Sequence, residues 1–221
     1  MSLWLFSPFR LANTMNITYT IIGFTVLISL LAMNKERLMR NLMMNPYRIK
    51  RNREYYRFLT SGFIHINHVH LLFNMFSFYF FGPVIERIFY QLFGGAGGVY
   101  FITLYLLAII VSDLPTYFKQ KDNPQYNSLG ASGAVAAVIF AFIIFQPLQK
   151  ICAFFVICMP GFILGILFIA ISYYQGRKSN TMINHEAHLY GALFGLFFCI
   201  VTYPASIGIF LEQVRQWSFL K

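Results

Sequence analysis

Long uncharged apolar stretches recur along this chain and dominate what it can become. An α-helix needs about 20 consecutive apolar residues to cross ~30 Å of hydrocarbon. Hydropathy predicts six such spans, at 17–33, 69–91, 99–118, 131–148, 151–173 and 187–211. Only 11% of the residues are charged while 58% are hydrophobic, and a soluble domain carries roughly a quarter charged residues. The expected class is therefore all-α. It is a polytopic membrane protein whose six-transmembrane-helix bundle occupies 17–211, after an N-terminal segment 1–16 and before a short C-terminal tail 212–221. No internal repeat, low-complexity linker or second domain interrupts it.

The connections refine this picture. Gly94-Gly95-Ala96-Gly97-Gly98 is too rich in glycine for a helix interior and marks the turn between the second and third spans. Gln146-Pro147 through Lys150 reads as a tight turn between the fourth and fifth. Pro160-Gly161 is expected to kink the fifth span, which neighbouring helices tolerate. Arg10 ahead of an apolar run resembles a signal peptide, but the run is long for one and lacks a small-residue cleavage site, so it reads as a retained helix.

The formal net charge is +10, and 8 of the 17 Lys and Arg fall between Lys35 and Arg57, between two apolar segments. A basic loop beside a membrane span meets anionic lipid headgroups, and no nucleic-acid recognition motif accompanies the charge. The bilayer is thus an expected partner and nucleic acid is not. Cys152, Cys158 and Cys199 all fall in apolar segments without metal-ligand spacing, and are expected to act as small buried hydrophobes.

Counting sides of the membrane gathers the polar residues. The second, fourth and sixth spans all begin on the same face. The second opens with His65, His68, His70 and Asn74, the fourth with Gly130, Ala131, Ser132 and Gly133, and the sixth with His185, Glu186 and His188. All five histidines of the chain belong to this set. Ionisable residues at membrane depth are functional candidates.

Ser132 stands where a polar loop meets an apolar helix, near the positive end of the helix dipole, where free N–H groups can receive an oxyanion. Alone, a G-x-S-G is a weak signal, and a serine there is more often an N-cap. His188 supplies the base that a serine nucleophile requires. His188, Gly191 and Gly195 fall at i, i+3 and i+7, an imidazole above a glycine groove. Small residues permit very close helix packing, and Gly133, Ala134, Ala136 and Ala137 answer on the fourth span. His70 and Asn74, at i and i+4, can both donate hydrogen bonds toward a developing negative charge, or else glue helices together. No aspartate is placed to orient His188, so the expected chemistry is a dyad; Asp113 and Asp122 are assigned no role.

Three strings carry a family resemblance: His65-Ile-Asn-His-Val-His70-Leu-Leu-Phe-Asn74, Gly130-Ala-Ser132-Gly133, and Ala187-His188-Leu-Tyr-Gly191-Ala-Leu-Phe-Gly195. In that order, on those spans, they resemble the signatures of the rhomboid intramembrane serine proteases. Glu54-Tyr55-Tyr56-Arg57 resembles the aromatic-Arg motif of that family's first loop, and Gly82 with Glu86-Arg87 adds a further match. The resemblance covers roughly 17–205. It implies Ser132 as nucleophile, His188 as base, and Asn74, His70 and the Ser132 amide as oxyanion donors, with His65 and the glycines Gly130, Gly133, Gly191 and Gly195 in support. It implies hydrolysis, without cofactor or metal, of transmembrane or juxtamembrane segments of membrane-protein substrates, in a bacterial plasma membrane. Two departures stand out. Ala136 occupies the place of a large, often aromatic residue that stacks on the catalytic histidine, and Tyr56 replaces a tryptophan.

The alternative reading is a metal-binding membrane protein, a transporter or metalloprotease, built on His65-x-x-His68-x-His70 and His185-x-x-His188. It lacks the H-E-x-x-H zincin spacing and leaves Ser132 unexplained. Sidedness is contested as well. The connections on the Ser132 face hold 12 of the 17 Lys and Arg, which by the positive-inside rule makes that face cytoplasmic. The resemblance instead implies an active site opening outward, with the basic 34–68 segment lying in the interface.

Overall fold

The computed structural model describes residues 17–153, 156–176 and 184–217. The segment 1–16 with Arg10, the end of the tail at 218–221, and Arg177 and Lys178 lie outside the described residues. The chain is helical almost throughout, in the order α1 (Ile17–Met33), α2 (Glu36–Leu42), α3 (Pro46–Asn52), α4 (Arg57–Thr60), α5 (His68–Phe93), α6 (Gly97–Gln120) and α7 (Ser132–Phe145). A hairpin of β1 (Lys150–Ala153) and β2 (Ile157–Pro160) follows, and then α8 (Gly161–Gly176), α9 (His185–Thr202) and α10 (Ala205–Arg215).

α7 is the axle of the bundle. Every residue from Gly133 to Phe145 except Ile139 is buried, as expected of a helix that is apolar all round, and α5, α6, α8, α9 and α10 pack around it. The outer helices leave large apolar side chains on the surface, among them Leu72, Phe73, Ile166, Ile171, Phe197 and Val201. So much exposed apolar surface marks a face made for lipid. His68–Gln120, which is α5 and α6 joined through a glycine turn, and His185–Thr202 are long and apolar enough to cross a membrane, and Ile17–Met33, Ser132–Phe145 and Gly161–Gly176 are shorter apolar helices.

Several predicted boundaries change. The span predicted at 151–173 is a hairpin followed by a helix: Lys150 pairs with Pro160 and Cys152 with Cys158, and α8 begins at Gly161. Pro160-Gly161 therefore starts a helix rather than kinking one. An apolar run reads alike as strand or helix, so hydropathy alone missed the reversal. Cys152 and Cys158, directly opposite in the hairpin, form a disulfide, which corrects their reading as lone hydrophobes; Cys199 is free and buried. The span predicted at 187–211 breaks at Tyr203-Pro204, because proline disfavours the helical conformation of the residue before it. α10 then runs past the predicted tail boundary to Arg215.

The basic connection is itself folded. Asn45 caps α3 by accepting from the Arg48 N–H at 2.8 Å, with Pro46 in the first turn. Arg57 is fully buried; its Nη1 donates to the Arg40 and Met43 carbonyls, and its Nε to Glu54. Burial works to raise the Glu54 pKa, but hydrogen bonds from Asn52, Arg57 and Arg48 outweigh it and hold the carboxyl at about 2. Met44 and Ser128 exchange two backbone hydrogen bonds, at 2.9 and 3.1 Å, so this connection is stitched to the loop that leads into Ser132.

Candidate active site

Ser132 is the first residue of α7 and half-buried. The loop before it is held from three sides. Gly130 has φ of 123°, a conformation that side chains rarely adopt. A Cβ there would also lie 2.6 Å from the His70 ring, and the Gly130 N–H donates to the Ser61 carbonyl at 2.9 Å. This glycine is thus required twice, for its backbone angle and for the close approach of His70.

His65 locks the next residue. The Ala131 N–H donates to His65 Nε2 at 3.3 Å, and Nδ1 meets Ser29 Oγ at 2.9 Å. An Nε2 that accepts cannot carry a proton, so Nδ1–H donates to Ser29, whose hydroxyl in turn donates to the Phe63 carbonyl at 3.1 Å. Burial and, next, the neighbouring His70 push the His65 pKa down to about 3. The ring stays neutral and joins α1 to the loop before Ser132 as a clamp. Both of its nitrogens are engaged within the fold.

His70 follows the cap of α5, where Asn67 accepts from the His70 N–H at 2.8 Å. Its ring lies edge-on to His65, 4.9 Å between centroids. Asn74, one turn on, is buried and donates to the His70 carbonyl at 3.0 Å. That uses one of its two amide hydrogens, and the other can donate elsewhere.

α9 brings His188 alongside. Asn184 caps it by accepting from the Ala187 N–H at 3.1 Å. The seam with α7 is backbone on backbone: a Cβ on Gly191 would stand 2.2 Å from the Gly133 carbonyl oxygen, and one on Gly195 2.2 Å from that of Ala137. A Cβ on Gly133 would lie 3.4 Å from the Ala187 carbonyl and 2.2 Å from Ser112 Oγ. Gly133, next to Ser132, and Ala187, next to His188, therefore face each other across this seam with little more room than a Cβ would fill. Ala136 leaves the imidazole no aromatic cover from α7, and Phe168 of α8 supplies it, its ring stacked at 6.3 Å between centroids and 25° between planes. Phe168 was not anticipated, because hydropathy offers no sign of which residue on one helix meets a ring on another.

Four of the five histidines take these positions: His65 and His70 beside the loop that leads into Ser132, His185 and His188 together at 6.0 Å on α9. His68, the first residue of α5, is exposed. Among the described residues no three His, Cys, Asp or Glu side chains gather as a metal would require.

A family model described as the Rhomboid domain matches residues 52–205. RHOMBOID-like protein 12, mitochondrial, of Arabidopsis thaliana is 31% identical over 167 residues, which are 72% of this chain and 49% of that protein. The human Presenilin-associated rhomboid-like protein, mitochondrial, is 30% identical over 162 residues, 66% of this chain and 37% of that one. Rhomboid protease GlpG of Haemophilus influenzae is 26% identical over 160 residues, 70% and 73% of the two. The chain spans about half the length of the Arabidopsis relative and less of the human one.

Proposed function

This chain belongs to the rhomboid family and is an integral membrane protein, and from that premise we propose that it is a serine endopeptidase cutting transmembrane or juxtamembrane segments of other membrane proteins. Ser132 is the nucleophile and His188 the general base, a dyad with no third carboxylate and no cofactor. The observation that carries this reading is the glycine seam between α7 and α9, where the neighbours of both residues face each other at close range.

In this reading the imidazole of His188 takes the Ser132 proton as Oγ adds to the scissile carbonyl carbon. The oxyanion is received by the Ser132 amide at the mouth of α7 and by the His70 and Asn74 side chains. The imidazolium then protonates the leaving amine, and a water, deprotonated by His188, splits the acyl-enzyme. Phe168 against His188 and the His65 clamp on Ala131 support a site held in place before substrate arrives.

The same reading gives α1 and α5 to α9 as six spans and a bacterial plasma membrane as the location. The bacterial relative supports that location, and cell fractionation separates it from the mitochondrial one. The deciding assay uses the purified protein in detergent with a model transmembrane substrate. Ser132→Ala should abolish cleavage and leave the melting temperature nearly unchanged, since the replaced group is one hydroxyl at a helix mouth. Full activity in that variant would end the serine-protease reading.

A further inference from the structure

Asp113 is a buried carboxyl that the chemistry above does not use. It sits in α6, and its described hydrogen bond comes from Ser61 Oγ at 3.4 Å, a long contact that the same hydroxyl also makes to the Phe58 carbonyl. A carboxyl can accept several hydrogen bonds, and a buried polar group with one weak partner is costly.

A cavity of about 20 Å³ lies against it, lined among others by Ser112, Asp113, Ser128, Ser132 and Asn184. Roughly 10–15 Å³ is enough for one water if it finds two to four polar partners, and this lining provides them. Ser128 Oγ is enclosed and has no hydrogen bond of good geometry, although the Tyr126 phenol comes near it. Ser112 Oγ donates to the Ile109 carbonyl at 3.0 Å, so its lone pairs remain to accept. The other walls belong to the active site: Ser132 itself, and Asn184, which caps the helix bearing His188. A second path runs through protein alone, from Asp113 to Ser61, whose carbonyl holds the Gly130 N–H.

We propose that Asp113 is a positioning residue for Ser132, acting through one water held in this cavity. The inference rests on the Ser132–His188 reading. The water donates one hydrogen to the Asp113 carboxyl and the other to a lone pair of Ser132 Oγ, and it accepts from the Ser128 hydroxyl. With that lone pair occupied, the Ser132 O–H turns toward the imidazole that must take its proton. Asp113 touches no reacting atom; it sets the rotor of the group that does.

The experiment measures the rate at which a fluorophosphonate probe labels Ser132, together with kcat and KM on a transmembrane substrate. It covers the wild type, Asp113→Asn, Asp113→Leu, Ser128→Ala and Ser132→Ala, with melting temperatures from the same preparations. Asp113→Leu fills the cavity and removes the acceptor. It should slow labelling and kcat by roughly 10- to 100-fold, the order of loss for a misplaced reacting group, with KM nearly unchanged. Asp113→Asn keeps an acceptor oxygen and should restore most of the rate, and Ser128→Ala should fall between. If Asp113 only supports folding, the variants melt earlier while labelling per folded molecule stays at the wild-type rate, and the proposal fails. Should Asp113→Leu not fold, wild-type labelling in Ser128→Ala is the result that overturns it. A wild type that the probe does not label, or labels equally after Ser132→Ala, overturns the nucleophile reading and this inference together. Normal wild-type labelling with unaffected Asp113→Leu and Ser128→Ala variants overturns this inference alone.

Discussion

His65 sits between two partners that both require it neutral. Protonating Nε2 would set one N–H against another at the Ala131 amide. Its pKa in the fold, about 3, lies below the ~6.5 of an unfolded histidine, so the unfolded chain binds the proton first. The stability contributed by this clamp is therefore complete above pH ~6.5 and is lost as the pH falls from there toward 3. Melting temperatures across that window should fall more steeply for the wild type than for His65→Gln, which cannot titrate; parallel curves would dismiss the clamp. Asn74 offers a second test at this scale. Its second amide hydrogen, if it meets charge formed only in the transition state, makes Asn74→Ala lower kcat by about 10²–10³ with little change in KM. A drop in melting temperature alone, with kcat of the folded fraction intact, would reduce Asn74 to the helix glue that its bond to the His70 carbonyl already provides. The residues of the candidate site could be picked out in the sequence because serine, histidine and asparagine at the mouths of apolar helices are chemically distinctive. Phe168 and Asp113 could not, since an aromatic ring and a lone carboxyl acquire a role only from what packs against them.

Between elements, the α7–α9 seam depends on side chains that are missing. Gly191→Leu would drive a branched side chain into the Gly133 carbonyl, which a Cβ alone would approach to 2.2 Å. Overpacking of this kind typically costs 1–3 kcal/mol, and here it also parts the two turns that carry Ser132 and His188. Both the melting temperature and cleavage of a transmembrane substrate should fall. Wild-type cleavage by Gly191→Leu would mean that the seam does not set the site. This contact could be anticipated because glycine spacing of i, i+3 and i+7 around His188 is visible in one dimension. The hairpin after α7 could not. Its strands are as apolar as a span, and only their pairing sets Cys152 opposite Cys158; along a helix, residues six apart point to different faces.

Across the whole molecule, α1 is tied to the bundle at both ends although it lies outside the 52–205 match. At its start the buried Glu86 carboxylate accepts from the Ile17 and Thr18 N–H groups and from Thr18 Oγ1 at 2.6 Å, while Gly82 leaves room for Thr18. Near its end Ser29 holds His65. Glu86→Ala strands those donors, at about 1–3 kcal/mol for each buried group left unpaired. It should lower the melting temperature and, by loosening the His65 clamp, lower activity as well. Unchanged stability would mean that α1 is held by apolar contact alone. Five ion pairs, Arg40–Glu36, Arg48–Glu54, Lys50–Asp122, Arg57–Glu54 and Lys119–Glu186, fall on the face where Ser132 sits, so part of that basic surface is neutralised within the fold. The sequence by itself determined the class of molecule, a largely helical membrane protein of the rhomboid family, and the order of its apolar segments along the chain. These follow from hydropathy and chemical type, which are additive along a chain. Tertiary structure alone decided that one apolar run turns back as a disulfide-linked hairpin, that His65 is a neutral clamp, that Phe168 stacks on His188 and that Asp113 lies against the cavity Ser132 lines. Each of these depends on which atoms meet across tens of residues, and packing, unlike hydropathy, is a property of pairs.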